Sequence, residues 1–334
     1  MTASGRRRTM KDVAVAANVS EMTVSRVLRN KGPISKKTRR HVLQMVENLG
    51  YVQNHLAGSL ATSRSNQIAV IIPSLVNNVF TEVMSGITVA LEKAGYNAVV
   101  GISDYSLEKE EALVSSMMSW RPAGIIVANL QHTVKTRNIL ANAGIPVVEM
   151  MNIAPNPIDV CIGLDHSAAG TAIADHLLSK GYRHFGYVGW NREDRAAHQR
   201  FQAIVEQIGS NNLSIVAPDL FEAPPNFAAG KAGLRQLLDI APNLDAVFFS
   251  NDTAATGGMI HCIESGIDVP DQLAIAGFSG LDTGQNMPLK LTTIKTRRYD
   301  IGRLSARNIL NRLAGQASDP VVDLGFEIIA GETS

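Results

Sequence analysis

From Gln67 onward, short apolar runs alternate with stretches whose apolar residues recur at helical spacing. This alternation limits the possible folds more than any other feature of the chain. The runs Ile68–Ile72, Ala98–Ile102, Gly124–Val127, Ile145–Met150, His184–Gly189, Ala246–Ser250 and Leu273–Phe278 read as strands. Between the first two, Val83, Ile87, Ala90, Leu91 and Ala94 share one face of a helix over Thr81–Ala94. Apolar strands separated by helices predict parallel sheets covered on both faces, an α/β class. About 270 residues of this pattern exceed one small doubly wound unit. Two lobes are therefore expected, with a ligand crevice at the C-terminal ends of the strands.

Residues 1–66 are of another kind. They hold 12 Lys and Arg against three acidic residues, in a chain of 334 residues whose net charge is only +1. A basic head on a mildly acidic body points to a polyanionic partner for the head. Thr9 can cap a first helix, with Asp12 completing a capping box and Val13, Ala14 and Ala17 forming its apolar stripe. After a break at Asn18-Val19, Ser20 can cap a second helix from Glu21 to about Arg29, with Val24, Val27 and Leu28 inward. Lys31-Gly32-Pro33 ends it. Ser35 can cap a third, whose Val42, Met45, Val46 and Leu49 follow the i, i+3, i+4, i+7 rule. This is helix-turn-helix spacing. The outward face of the second helix carries Glu21, Met22, Thr23, Ser25, Arg26 and Arg29. Small hydroxyls and arginines fit a major groove and donate to phosphates and base edges. A merely solvated face is the alternative, and the charge imbalance weighs against it.

Other classes find little support. Cys161 and Cys262 cannot make a disulfide framework, and no CxxC or Cys/His cluster suggests a metal. His132, His166, His184, His198 and His261 lack metal-ligand spacing. No apolar run approaches the ~18 residues of a membrane helix. No apolar stretch follows Arg6-Arg7-Arg8 to make a secretory signal. The motifs GxGxxG, GxxxxGK[ST] and GxSxG are missing, which disfavours an enzyme. A cytoplasmic protein with no metal and no cofactor is expected.

Asp12-Val13-Ala14, Val19-Ser20, Thr23 to Leu28, Ser35, Thr38-Arg39 and Leu49-Gly50-Tyr51 resemble the headpiece of the lac repressor/galactose repressor (LacI/GalR) family. Ile71 to Ser74, Gly144 to Val148, Val160 to Asp165, Ser250 to Ala255, Ala274 to Phe278 and Leu291 to Ile294 resemble its effector-binding core, which shares the fold of periplasmic binding proteins. The resemblance implies a headpiece over residues 9–52, a hinge helix and linker over 53–66, and a two-lobed effector-binding and dimerisation domain over 67–331. Met22, Thr23, Ser25 and Arg26 are implied to contact operator DNA, with Glu21 and Met22 where family members vary their base readout. Ser20, Thr38, Tyr51 and Asn54 match phosphate-positioning places. Leu60 matches a leucine that wedges into a minor-groove step, in a hinge helix too short to be stable alone. Its alternative is a packing contact in a plain linker. A homodimer is implied, with no membrane partner.

For the crevice, Asn251 matches a position that binds effector hydroxyls, while Asp252 can cap the next helix. The alternative is that both only shape the turn. Arg200 matches the arginine that anchors the effector through a forked pair of hydrogen bonds, or else lies on a helix surface. Phe80 follows a strand and either stacks on a sugar face or packs in the core. Asp165 suits a helix cap, and Asp104 shares that ambiguity. Ser279 departs from the aspartate of many sugar-binding relatives, which makes an anionic effector more tolerable. Glu21 to Arg26, Met117 to Trp120, Pro146 to Met151, Ile275 to Phe278 and Asp323 to Phe326 most resemble gluconate-utilisation repressors, so a sugar acid such as gluconate is the expected effector.

Overall fold

The computed structural model describes residues 8–30, 32–52, 65–76, 78–128, 130–189, 194–217 and 226–334. The chain divides into two compact units, residues 1–65 and 66–334.

In the first unit lie α1 (Met10–Ala16), α2 (Glu21–Leu28) and α3 (Lys36–Asn48). Each begins where the sequence places a cap. Asp12 N–H donates to Thr9 Oγ1 at 3.3 Å while Thr9 N–H donates to Asp12 Oδ2 at 2.8 Å, closing the capping box. Thr23 N–H donates to Ser20 Oγ at 3.2 Å and Thr38 N–H to Ser35 Oγ at 3.1 Å. Asn18, at φ 50, makes the break between α1 and α2 in the left-handed region that Asn tolerates. Val13, Ala14, Ala17, Val24, Val27, Val42 and Tyr51 form the core. So small a core leaves the unit dependent on its caps, each worth ~1 kcal/mol.

The second unit runs β1 (Gln67–Ile72), α4 (Val79–Glu92), β2 (Asn97–Ile102), α5 (Leu107–Ser119), β3 (Gly124–Val127), α6 (Val134–Ala141), β4 (Val147–Asn152) and β5 (Val160–Leu164). It continues through α7 (His166–Ser179), β6 (Phe185–Val188), α8 (Arg195–Ser210), β7 (Ile215–Val216), α9 (Phe227–Ile240), β8 (Ala246–Phe249) and α10 (Asp252–Ser265). It ends with β9 (Ala274–Ser279), α11 (Asp282–Gln285), β10 (Thr292–Thr296), α12 (Arg298–Leu313), β11 (Val321–Asp323) and β12 (Phe326–Ile329). Two sheets result, in the orders β11-β5-β4-β3-β1-β2 and β12-β10-β9-β8-β6-β7. The pairs are parallel except β10 with β12, which is antiparallel. The expected two-lobed parallel architecture is thus what forms. Apolar side chains explain it: Ile68 to Ile72 are buried along the whole of β1 after its first residue, as a strand sandwiched by helices requires.

Several strands differ from the sequence reading. β4 starts after Pro146, whose ring nitrogen has no proton to donate, and runs on to Asn152. β10, with Thr292, Thr293 and Lys295, and the three-residue β11 carry too little apolar periodicity to be read in advance. The helix after β1 starts at Val79, two residues before the expected Thr81. Helices α4 and α12 approach so closely that a Cβ on Gly86 would meet the Tyr299 carbonyl, and one on Gly302 the Val83 carbonyl. Among the described residues no helix is long and apolar enough to cross a membrane.

Candidate functional site

In the first unit, α2 presents Glu21, Met22 and Arg26 to solvent, Met22 being 63% exposed, while Thr23 and Ser25 are half-buried. The Ser20 and Thr23 hydroxyls pair at 2.9 Å, and those of Ser35 and Thr38 at 2.8 Å. Each hydroxyl pair sits in the first turn of its helix, where backbone N–H groups and the helix dipole favour a phosphate. Arg39 Nη1 donates to the Val27 carbonyl at 3.3 Å, a tie between α3 and the last turn of α2 that the sequence pattern did not reveal. Tyr51 packs into the core and is 9% exposed. Asn54 and Leu60 lie outside the described residues.

The second unit contains a crevice enclosing about 970 Å³ of empty space, its open mouth included. Its concave lining of apolar side chains with a few polar groups has the character of a small-molecule site. Pro73, Val79 and Phe80 follow β1, Tyr105 follows β2, and Ala128 follows β3; Met150 to Asn152 end β4, and Leu164 and His166 flank the end of β5. From the other sheet come Asp194, Ala197 and Arg200 after β6, Ser250 and Asn251 after β8, Phe278 and Ser279 at the end of β9, and Thr296 at the end of β10. Every segment stands at the C-terminal end of a strand, as the topology requires.

Arg200 is the chief cation of the crevice and is 8% exposed. Its Nη1 meets His166 Nδ1 at 3.0 Å, its Nη2 donates to the Ser250 carbonyl at 3.3 Å, and its guanidinium lies 3.9 Å above the Phe278 ring. Burial lowers its pKa and the Asp194 charge opposes that, yet a guanidinium stays protonated. Among the described residues no carboxylate hydrogen-bonds to it. The expected surface alternative for Arg200 does not hold.

Asn251 caps α10, its Oδ1 accepting from Ala254 N–H at 2.9 Å, and it lines the crevice. Asp252 therefore does not cap, contrary to the sequence reading. It is fully buried, accepting from Thr293 Oγ1 at 2.6 Å and from Leu281 N–H at 2.6 Å. Burial pushes its pKa up to about 6 against those hydrogen bonds. Its task is to fix the Ser279-Gly280-Leu281 turn. Ser279 has φ 122, and its carbonyl accepts from Arg298 Nη1. Phe80 packs in the core, as one of its two expected readings has it, and also lines the crevice.

Two expected carboxylates stand apart from the crevice lining. Asp165 caps α7, accepting from Ser167 N–H at 2.8 Å and Ala168 N–H at 3.0 Å. Asp104, at φ 50, pairs with Lys109 at 2.7 Å on the surface. Residues the sequence reading did not assign to the crevice include His166, Asn152 and Asp194. Their signal was position only, directly after strands. Beneath β4, a buried cluster joins His132 Nδ1 to Glu110 Oε1 at 2.5 Å, with Glu149 Oε1 3.3 Å from Nε2. Burial disfavours the charged imidazole, but Glu110 and Glu149 outweigh it and raise its pKa to about 9. Among the described residues no group of three His, Cys, Asp or Glu is placed to hold a metal ion.

Residues 9–54 match the family model for bacterial regulatory proteins of the lacI family, and residues 174–334 match that of a periplasmic binding protein-like domain. The chain is 33% identical over 332 residues to the HTH-type transcriptional regulator GntR of Escherichia coli K12, covering 98% of both chains. It is 32% identical over 329 residues to the HTH-type transcriptional regulator IdnR of the same organism, again over 98% of each. A crystal structure of a transcriptional regulator of the LacI family from Silicibacter pomeroyi is 42% identical, with a TM-score of 0.93 over 98% of this chain and 99% of that one. Likeness of that degree from end to end, in sequence and in fold, admits one conclusion: the chain belongs to the lacI family of bacterial regulatory proteins.

Proposed function

We propose that the chain is a cytoplasmic, dimeric transcriptional repressor whose affinity for operator DNA is set by a sugar acid, gluconate or a close aldonate, bound in the crevice. The observation that carries the effector class is Arg200: a buried guanidinium whose hydrogen bonds go to two neutral acceptors and, among the described residues, to no carboxylate, Asp194 acting on it only as a nearby charge. A buried charge with no ion-paired partner is costly, and a ligand carboxylate hydrogen-bonded to it offsets that cost. Ser279, standing where many sugar-binding relatives carry aspartate, adds no negative charge to oppose it. Asn251 offers an amide to hydroxyls, and Phe80 an apolar face to a carbon chain. The resemblance to gluconate-utilisation repressors points the same way. On the DNA side, Met22, Thr23, Ser25 and Arg26 read base edges, Ser20 and Thr38 hold phosphates, and Leu60 acts as the wedge.

The reading is of a regulator rather than an enzyme, since the relatives are named as regulators and binding alone suffices for control. An effector need shift operator affinity by only ~1–3 kcal/mol through reciprocal coupling. The test is selection of a tight duplex from genomic fragments, followed by anisotropy titration with and without gluconate. Operator affinity should change 5–150-fold, the range such coupling gives (roughly). An operator affinity indifferent to every sugar acid and every neutral sugar contradicts the proposal.

A further inference from the structure

The Arg200–His166 contact fixes a proton. A guanidinium has only donors, so His166 Nδ1 at 3.0 Å must accept, and the imidazole proton must reside on Nε2. The other side of the ring agrees: Nε2 lies 3.2 Å from the Met151 carbonyl oxygen, which can only accept. His166 is thus spanned between the end of β4 and Arg200, and Arg200 is spanned between His166 and the end of β8. Met151 stands at φ 83, a conformation that persists only where its surroundings hold it. Phe278 packs on both groups, its ring centroid 5.8 Å from that of His166 and 3.9 Å from the Arg200 guanidinium carbon. A doubly protonated ring would turn an N–H toward Arg200 and set two cations side by side. Burial and the Arg200 charge accordingly push the His166 pKa well below 6.5.

We propose that His166 is the positioning residue for anion recognition: locked as the Nε2–H tautomer by Met151, it aims the Arg200 fork into the crevice without neutralising it. This rests on the sugar-acid reading above and adds the residue that confers it. An acidic side chain at the same place would hold Arg200 equally well but would compete with the ligand's carboxylate. An imidazole supplies the acceptor without the charge. Specificity for an acid over its neutral parent then depends on the acceptor at the Nδ1 position and not on ring bulk.

Two amides separate these contributions. The Asn oxygen reaches about as far as Nδ1 and can accept from Arg200, whereas the Gln amide reaches toward the Nε2 position and serves Met151 instead. Calorimetric titration of the unmodified protein, His166→Asn, His166→Gln and His166→Asp with gluconate and with glucose, alongside thermal unfolding of each, tests the proposal. His166→Asn should keep gluconate affinity within about threefold, and His166→Gln should lose about tenfold or more together with most of the preference over glucose. His166→Asp, which keeps the acceptor but adds a charge, should lose at least as much. Folded His166→Gln and His166→Asp proteins that retain both affinity and preference overturn the proposal, as does His166→Asn failing as badly as His166→Gln. Should His166→Gln not fold, the Asn and Asp arms decide alone. No preference for gluconate in the unmodified protein contradicts the sugar-acid reading and this inference with it, whereas a preference that survives His166→Gln contradicts this inference only.

Discussion

Arg298, the first residue of α12, donates through Nη2 to Glu82 Oε1 of α4 at 2.7 Å, while Nη1 and Nη2 also reach the Ser279 and Gly280 carbonyls. One guanidinium thereby joins a helix covering the first sheet to the turn that ends β9 in the second. The side chain of Arg298 is 4% exposed and that of Glu82 is 49% exposed, so the desolvated partner is the arginine. Glu82→Gln leaves that buried charge with neutral acceptors and should destabilise the second unit by about 1–3 kcal/mol. Urea unfolding checks this, and an unchanged midpoint would show that the pair contributes nothing.

The His132 cluster predicts a pH dependence of stability. Its folded pKa of about 9 lies above the unfolded value near 6.5, so the folded state binds the proton more tightly. The stabilisation is complete below about pH 6.5 and is lost as pH rises through 9, by an amount on the order of 3 kcal/mol. Thermal midpoints measured between these limits should fall more for the unmodified protein than for His132→Gln. Parallel curves would refute the assignment.

On the headpiece, Arg26→Ala should weaken binding to the selected duplex by ~1–3 kcal/mol if it reads a base edge, or lower the salt slope by about one if it holds a phosphate. Thr23→Ala removes both a hydroxyl proposed to meet the DNA and the partner of Ser20 Oγ, so DNA affinity should fall with some loss of headpiece stability. Gluconate titrations should be unaltered in both. Unchanged anisotropy titrations for the pair would mean that α2 does not enter the groove.

How far all this was legible in the sequence depended on whether the information was local. Caps and breaks were: Thr9, Ser20 and Ser35 each cap a helix because a hydroxyl before an apolar repeat has a short-range reason to be there. Central strands such as β1 and β8 were legible from apolar runs, whereas β10 and β11 are held by pairing across the sheets and show no such run. The crevice was half legible. Asn251 and Ser279 follow recognisable runs and Arg200 only a loosely matching stretch, but His166 acquires its meaning only when Arg200, 34 residues later, folds against it. Asp252 was misread for the same reason, since Leu281 and Thr293 are remote in sequence.

Ser279 gives a specificity test independent of His166. Its φ of 122 strains any L residue, so Ser279→Asp adds little new backbone cost. The added carboxylate should weaken gluconate binding by about tenfold or more, through like-charge repulsion in a poorly solvated site, and spare glucose. Calorimetry showing equal gluconate affinity in the variant would separate Ser279 from the anion's position.

The most direct test of the central claim is a calorimetric titration of the unmodified protein with gluconate and, separately, with glucose. Arg200 with no hydrogen-bonded protein carboxylate and Ser279 without a charge predict that gluconate binds at least about tenfold tighter, equivalent to ~1.4 kcal/mol. Glucose binding as tightly as gluconate, or more tightly, would contradict the account.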